Sequence, residues 1–348
     1  MSAPSDRLRQ ALAASRHPLA GCAVQAMPDT GLAHDHVRLI GSGWLARIPK
    51  QSQMGLDAPH NLAYQLACFE RAAASGHTPR CQGVLMPSEL LPWGALLVEA
   101  IDGRPARLPG DLGAIAKALA ALHALLLPPV AQRAPLLNSA DPLQAMASEM
   151  AAQAAYLDAA QVAPVVRKAI ADQQRGMEAL CAQPERPRRH LIAFDGHPGN
   201  FIVRADGSAV LVDLEKCRYS YPGFDLAHAT LYTSTTWDLQ THSVLGEGEV
   251  AGTYRAWAQA IGAEAAGDAA RWHLPLRRAM WLWSVTWCAK WRVLSQAQAS
   301  RSASGEDWSA ERSDAALVSH VRDRVDHYLG EAVVERMLHE FDALERAL

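Results

Sequence analysis

The chain has 348 residues, 49% of them hydrophobic, enough for a sizeable core in two domains or one large composite one. Its formal net charge of −3, with no run of Lys or Arg, gives non-specific nucleic-acid binding no electrostatic support. Six cysteines without a CxxC pair, no long uncharged apolar stretch and a polar start, MSAPSDRLRQ, speak against a zinc knuckle, a disulfide framework and a membrane partner, so a cytoplasmic protein with reduced thiols is expected.

Residues 5–15 have the spacing of a short amphipathic helix. Residues 24–50 read as strand, loop, strand, turn, strand, with Gly41-Ser42-Gly43 as the hairpin turn. NLAYQLACFERAAASG, 61–76, predicts a helix ending near Gly76, and GALLVEAIDGRP, 94–105, a buried strand running into a turn. Helical patterning dominates from there. Across 110–129, Leu112, Ile115, Leu119, Leu122 and Leu126 share one face, Asp111 is placed to cap the start and Pro128 to stop the helix. Residues 147–161 and 164–181 continue the pattern, the second opened by Pro164. A strand pair interrupts it: FIVR at 201–204, the turn ADGS, then AVLVD at 209–213. Helices resume from about Asp225, and 297–314 is a low-complexity segment expected to be mobile. The pattern predicts an α+β, two-lobed chain, with a small strand-rich lobe over 1–101, a larger helical lobe over 102–348 and a ligand cleft between them.

The chemistry concentrates in HLIAFDGHPGNFIVRADGSAVLVDLE, His190 to Glu215. A hairpin with Asp195 and Asn200 before its first strand and Asp213 after its second brings all three to one end. Phosphoryl transfer asks for such a set: a carboxylate beside the attacking hydroxyl and hard oxygen ligands for magnesium. Two blander readings share these residues. Asp195 and Asn200 suit the capping of a Pro-Gly turn, and His190, Asp195 and His197 are a conceivable metal set of a hydrolase.

The same stretch resembles the aminoglycoside phosphotransferase and choline kinase family, small-molecule kinases with a protein-kinase-like fold. That family's catalytic loop reads H-G-D-x-H-P-G-N, and this chain has Ala193-Phe194-Asp195-Gly196-His197-Pro198-Gly199-Asn200. The family's metal motif, I-D-x-E followed by G-D-P-x-x-D-L-A, is matched by LVDLEKCRYSYPGFDLAHA, with Asp213, Glu215 and Asp225 in register. Upstream, LARIPK is similar to the third strand with its phosphate-pairing cation, LLVEAIDGRP to the hinge and ALAALHAL to the helix after it, so the likeness covers roughly residues 25–235.

The resemblance implies ATP (or GTP) and Mg2+ as cofactors and a small-molecule hydroxyl as acceptor: an aminoglycoside, choline or ethanolamine, thiamine or a sugar. It implies Asp195 as the base and Asn200 and Asp213 as metal ligands. Arg47 takes the third-strand position against the α/β phosphates, and its fork suits phosphate. Gly31, in DTGLAHDH at 29–36, belongs to the loop over the phosphates, and the backbone of Glu99, Ala100 and Ile101 to the base. Asp225 is expected to accept backbone hydrogen bonds that brace the loop. The departures are Ala193 and Phe194 for His and Gly, and Gln65 where the family's helix carries the Glu that pairs the third-strand cation. These departures keep open the reading of a weak or inactive nucleotide-binding regulator. Trp283, Trp287 and Trp291 recur at i, i+4 and i+8. Such a stripe is either core or, with Trp237 and Asp238, a wall for a cationic substrate.

Overall fold

The computed structural model describes residues 3–28, 33–295 and 315–348. Gly31 and the low-complexity segment 297–314 therefore lie outside the described residues. Helix α1 (Pro4–Ala14) precedes strands β1 (Val24–Ala26), β2 (His34–Leu39) and β3 (Trp44–Pro49); helix α2 (Ala58–Ala72) follows, then β4 (Cys81–Leu85) and β5 (Ala95–Glu99). The five strands form one antiparallel sheet in the order β1-β2-β3-β5-β4. The β2–β3 turn needs two left-handed residues, and Gly41 and Gly43 supply them at φ 75° and 78°. This fixes a register in which Leu39 faces Trp44 and His36 faces Arg47. Alternation then sorts the two faces. Val37, Leu39, Ala46 and Ile48 pack under Leu8 and Leu12 of α1. Leu96 and Val98 pack on the other side against Leu62 and Phe69 of α2.

β6 (Arg104–Pro105) leads into α3 (Leu112–His123), α4 (Pro142–Ala154) and α5 (Pro164–Ala182). β7 (His190–Ile192), β8 (Phe201–Val203), β9 (Ala209–Leu211) and β10 (Arg218–Ser220) follow, making the small antiparallel sheets β6-β8-β9 and β10-β7. Then come α6 (Pro222–Thr230), α7 (Tyr232–Thr235), α8 (Glu247–Ile261), α9 (Ala263–Ala270), α10 (His273–Leu294), α11 (Ala315–Tyr328) and α12 (Glu331–Leu344). The α+β arrangement expected from the pattern, a strand-rich half followed by a helical one, is present. The two lobes are not separately packed: α2 shares one hydrophobic core with α3, β8 and β9, and the Tyr64 hydroxyl donates to the Cys217 carbonyl at 2.7 Å.

The structure corrects α3 in two places. Asp111 does not cap the helix, because its carboxylate is taken by both terminal nitrogens of Arg104 and by the Arg107 N–H. The helix ends at His123, so Leu126 falls beyond it and is 96% exposed. No helix among the described residues is long and apolar enough to cross a membrane.

Candidate active site

The loop between β7 and β8 carries Asp195, and its shape comes from a buried clamp. The Asp225 carboxylate, fully buried on α6, accepts the N–H groups of Ala193 and Phe194 at 2.7 Å each. It also accepts Nε2–H of His123 at 3.0 Å, and His123 Nδ1 in turn accepts the Trp257 indole N–H at 3.0 Å. The Trp257 bond settles the tautomer, since Trp can only donate. One turn further along α6, His228 donates Nδ1–H to the Phe194 carbonyl at 3.2 Å. Phe194 is left with a φ of 62°, the left-handed region that the family motif fills with glycine. Its ring is buried edge-on to Trp283 and Phe224, and the Arg218 guanidinium lies over it at 3.6 Å. Past Asp195, a Pro198–Asn200 turn brings Asn200 back, and its Nδ2 donates to the Asp195 carbonyl at 2.8 Å.

Asp195 meets three cationic or potentially cationic groups. Lys216 Nζ lies 3.1 Å from Oδ2, and His228 Nδ1 3.7 Å from Oδ1. Burial pushes the Asp195 carboxyl up, but Lys216, His197 and His228 together overcome it and hold it below the usual carboxylate range.

Across the cleft, Arg47 is 3% exposed and spans the lobes: Nη1 donates to the Val212 carbonyl at 2.9 Å and Nη2 to Asp213 Oδ1 at 2.7 Å. Burial raises the Asp213 carboxyl, yet Arg47, His34 and His36 together outweigh it and the group stays far below its ordinary value. Gln65 does not pair Arg47. Its Oε1 accepts from His34 Nε2 at 3.0 Å and its Nε2 donates to Glu215 at 3.3 Å, while Asp213 has become the arginine's partner. Glu70, on the other face of α2, is exposed. Burial and the Asp213 charge push the Glu215 carboxyl well up, and burial beside Arg47 pushes His34 well down. His36 is lowered to about 3 for the same reasons. Neither histidine was singled out from the sequence, although the register through the Gly41–Gly43 turn puts both on the Arg47 face.

The metal expectation can be tested on the donors present. Asn200 has committed its amide nitrogen, which leaves Oδ1 as a ligand, and both contacts to Asp213 land on Oδ1, leaving Oδ2 without a hydrogen bond among the described residues. Two hard oxygens, each on a residue lining the same cavity, suit Mg2+. The alternative set of His190, Asp195 and His197 is not assembled. Among the described residues the groups close enough to share an ion are His34, Asp213 and Glu215, and the Arg47 guanidinium already stands among them, 3.4 Å from His34. His190 instead donates to the His123 carbonyl at 2.6 Å.

A cavity of about 300 Å³ joins these residues to a second, aromatic half. Trp283 and Trp287, both half-buried on α10, line it with Trp237, Asp238 and Tyr328. Trp237 stacks on Tyr328 with centroids 6.2 Å apart and meets Trp287 edge-on at 5.8 Å. Trp291 is buried and is not part of the wall, so the stripe divides: one core tryptophan and two at the cavity. Asp238 comes close to Gly199: a Cβ there would lie 3.0 Å from its Oδ2 and 2.9 Å from the His197 ring, so a larger residue would push these two side chains aside. The Thr233 hydroxyl, on a residue 5% exposed in the cavity wall, has no hydrogen-bond partner among the described residues. Glu99, Ala100 and Ile101 lie at and just past the end of β5 and do not line this cavity. The Glu99 and Ala100 N–H groups are given to Arg80 and Gly43. Lys216, His228 and Thr233 escaped the sequence reading. The signal for His228 was its spacing of one turn from Asp225, whereas Lys216 depends on a tertiary fold-back that no local pattern announces.

Solved structures share this fold at low sequence identity. A choline/ethanolamine kinase family protein from Mesorhizobium loti aligns over 97% of this chain and 99% of its own, with 16% identity and a TM-score of 0.59. An ethanolamine kinase from Plasmodium vivax aligns over 87% and 81%, at 14% identity and 0.53. A GDP complex of aminoglycoside 2'-phosphotransferase-IIIa aligns over 93% and 98%, at 14% identity and 0.54. No curated protein matches the chain by sequence. The family model described as the phosphotransferase enzyme family matches residues 29–267, a span that contains the loop, both aspartates and Arg47, and the chain belongs to that family.

Proposed function

We propose that this chain moves the terminal phosphoryl group of ATP (or GTP), with Mg2+, to the hydroxyl of a small cationic alcohol. The observation that carries the proposal is the single cavity in which Asp195, Asn200, Asp213 and Arg47 stand at one end and Trp237, Trp283, Trp287 and Asp238 at the other. At the first end, Asp195 orients the acceptor hydroxyl and takes its proton as the oxygen–phosphorus bond forms and the bond to the departing nucleoside diphosphate breaks. Asn200 and Asp213 would hold Mg2+, which when bound neutralises phosphate charge. Arg47 turns its fork from Asp213 toward the α/β phosphates. The base would be read by the hinge, where the Ile101 N–H is the one of three with no backbone partner among the described residues.

At the second end, tryptophan faces and one carboxylate suit an ammonium group, with a cation–π contribution of roughly 0.5–2 kcal/mol. A polycationic aminoglycoside fits less well, because Lys216 and Arg47 already bring positive charge into the cavity. The Arg47–Asp213 contact at 2.7 Å favours a second reading, a nucleotide-binding regulator whose metal carboxylate stays locked. One experiment separates the two: calorimetry with ATP and Mg2+, then phosphate transfer measured over choline, ethanolamine, thiamine, sugars and an aminoglycoside. Turnover on an amino alcohol is expected. Nucleotide binding without turnover on any acceptor would leave the regulator, and transfer to neutral sugars alone would remove the cationic acceptor.

A further inference from the structure

Lys216 is not part of the family motif as it is matched here, yet its ammonium lies 3.1 Å from Oδ2 of the candidate base Asp195. Both side chains line the cavity and are mostly buried, 12% and 19% exposed. The backbone makes this possible: the Leu214 carbonyl accepts the Cys217 N–H in a tight turn that follows Asp213, and the Lys216 carbonyl accepts Arg218 Nε at 3.1 Å. The segment that carries the metal aspartate therefore throws its lysine across to the catalytic loop.

We infer that Lys216 binds the terminal phosphate of the nucleotide and is parked on Asp195 until that phosphate arrives. Two features of the cavity point this way. The acceptor hydroxyl must bond to the Asp195 carboxylate, and a lysine left on Oδ2 would compete for it. The terminal phosphate, which has to lie between the acceptor oxygen and the Asn200–Asp213 ligands, brings more negative charge than one carboxylate and enters within reach of a flexible ammonium. Nucleotide entry would then free the base, so that the nucleotide binds before the acceptor. Arg47 serves the inner phosphates from the opposite lobe, and the two cations divide the chain of phosphates between them. This inference rests on the nucleotide-dependent reading given above.

The test is calorimetric and needs no acceptor. Wild type, Lys216→Met and Lys216→Arg are each titrated, with Mg2+, with ADP and with the non-hydrolysable triphosphate AMP-PNP. Lys216→Met should bind AMP-PNP about tenfold more weakly, the scale of one lost charge-assisted hydrogen bond, with ADP affinity unchanged; Lys216→Arg should keep most of the difference. Removing the lysine leaves Asp195 without its partner, so the reverse variant guards against a folding defect. Asp195→Asn should bind AMP-PNP severalfold more tightly than wild type, and the gain should vanish in the Asp195→Asn/Lys216→Met double variant. Equal losses for ADP and AMP-PNP, or none for either, would overturn the assignment while leaving the kinase reading intact. A wild-type chain that binds neither nucleotide would overturn both.

Discussion

Phe194 holds a backbone angle of 62° that costs a non-glycine residue about 1–2 kcal/mol. Its ring, 3% exposed, lies among Trp283, Phe224 and Arg218, and deleting a buried Phe side chain costs about 3–5 kcal/mol. Packing therefore outweighs strain, which is how the loop keeps this shape without glycine. The two terms can be pulled apart. Phe194→Ala loses the ring and keeps the strain; Phe194→Gly loses the ring and sheds the strain. Urea denaturation should find both less stable than wild type and Phe194→Gly about 1 kcal/mol above Phe194→Ala. The opposite order would mean that Phe194 is not strained. Next to it, Asp195→Asn should leave the melting temperature and ADP affinity near wild type while turnover on the acceptor falls at least ~100-fold. Near-normal turnover would disqualify Asp195 as the base. Trp287 lies at the cavity half-buried, so Trp287→Leu should raise the acceptor's Michaelis constant severalfold and leave that for ATP alone. A drop in melting temperature with an unchanged Michaelis constant would return it to the core.

At the scale of elements, α6 fastens the Asp195 loop to α3 through one carboxylate. Asp225→Ala would strip the acceptor from the Ala193 and Phe194 N–H groups and from His123, all of them buried. An unmade buried hydrogen bond costs about 1–3 kcal/mol, so a stability loss of about 3–5 kcal/mol is expected in denaturant titrations. A loss under about 1 kcal/mol would show that the clamp does not set the loop. Much of this was legible beforehand. The β2–β3 hairpin followed from alternation and its glycines, the β8–β9 pair from two apolar runs around ADGS, and α5 from Pro164. What stayed hidden was what tertiary contacts decide. β4 has Gly83 at a register shift, and β6, β7 and β10 are two or three residues long and exist only through their partners. Asp57 and Asp141 cap α2 and α4 several residues before the apolar periodicity becomes visible. At the site, Asp195, Asn200, Asp213 and Arg47 could be read from spacing and resemblance, because a motif preserves them along the chain. The Arg47–Asp213 and Lys216–Asp195 pairs could not, because each joins segments that are distant in sequence.

For the molecule as a whole, the buried histidines set how stability responds to acid. Burial lowers His228 and His273 to about 4 and His36 to about 3, and pushes His34 well down. In the unfolded chain each would titrate near 6.5. Between that value and about 4 the unfolded state binds more protons than the folded one, so stability falls as the pH drops through this window and is fully present above it. Carboxylates held low, such as Asp141 and Asp111, withdraw their contribution only below their ordinary value of about 4. Glu215 runs the other way, since a raised carboxyl binds its proton in the folded state first and favours folding as the pH falls toward its unfolded value. The cleft thus mixes signs, and the clean probe lies elsewhere. His273, at the start of α10, packs edge-on to Tyr254 at 4.8 Å and Trp257 at 5.7 Å, its Nδ1 has no partner among the described residues, and burial alone lowers it. At pH 5 its linkage term amounts to roughly 2 kcal/mol, a large share of the ~5–15 kcal/mol typical of a folded chain. His273→Phe should therefore stay within about 1 kcal/mol of wild type at pH 7.5 and lose roughly 2 kcal/mol less between pH 7.5 and pH 5 in urea titrations. An identical acid-side loss in the variant would mean that His273 takes up its proton without unfolding, and that its packing against α8 is looser than the 4.8 Å ring contact implies.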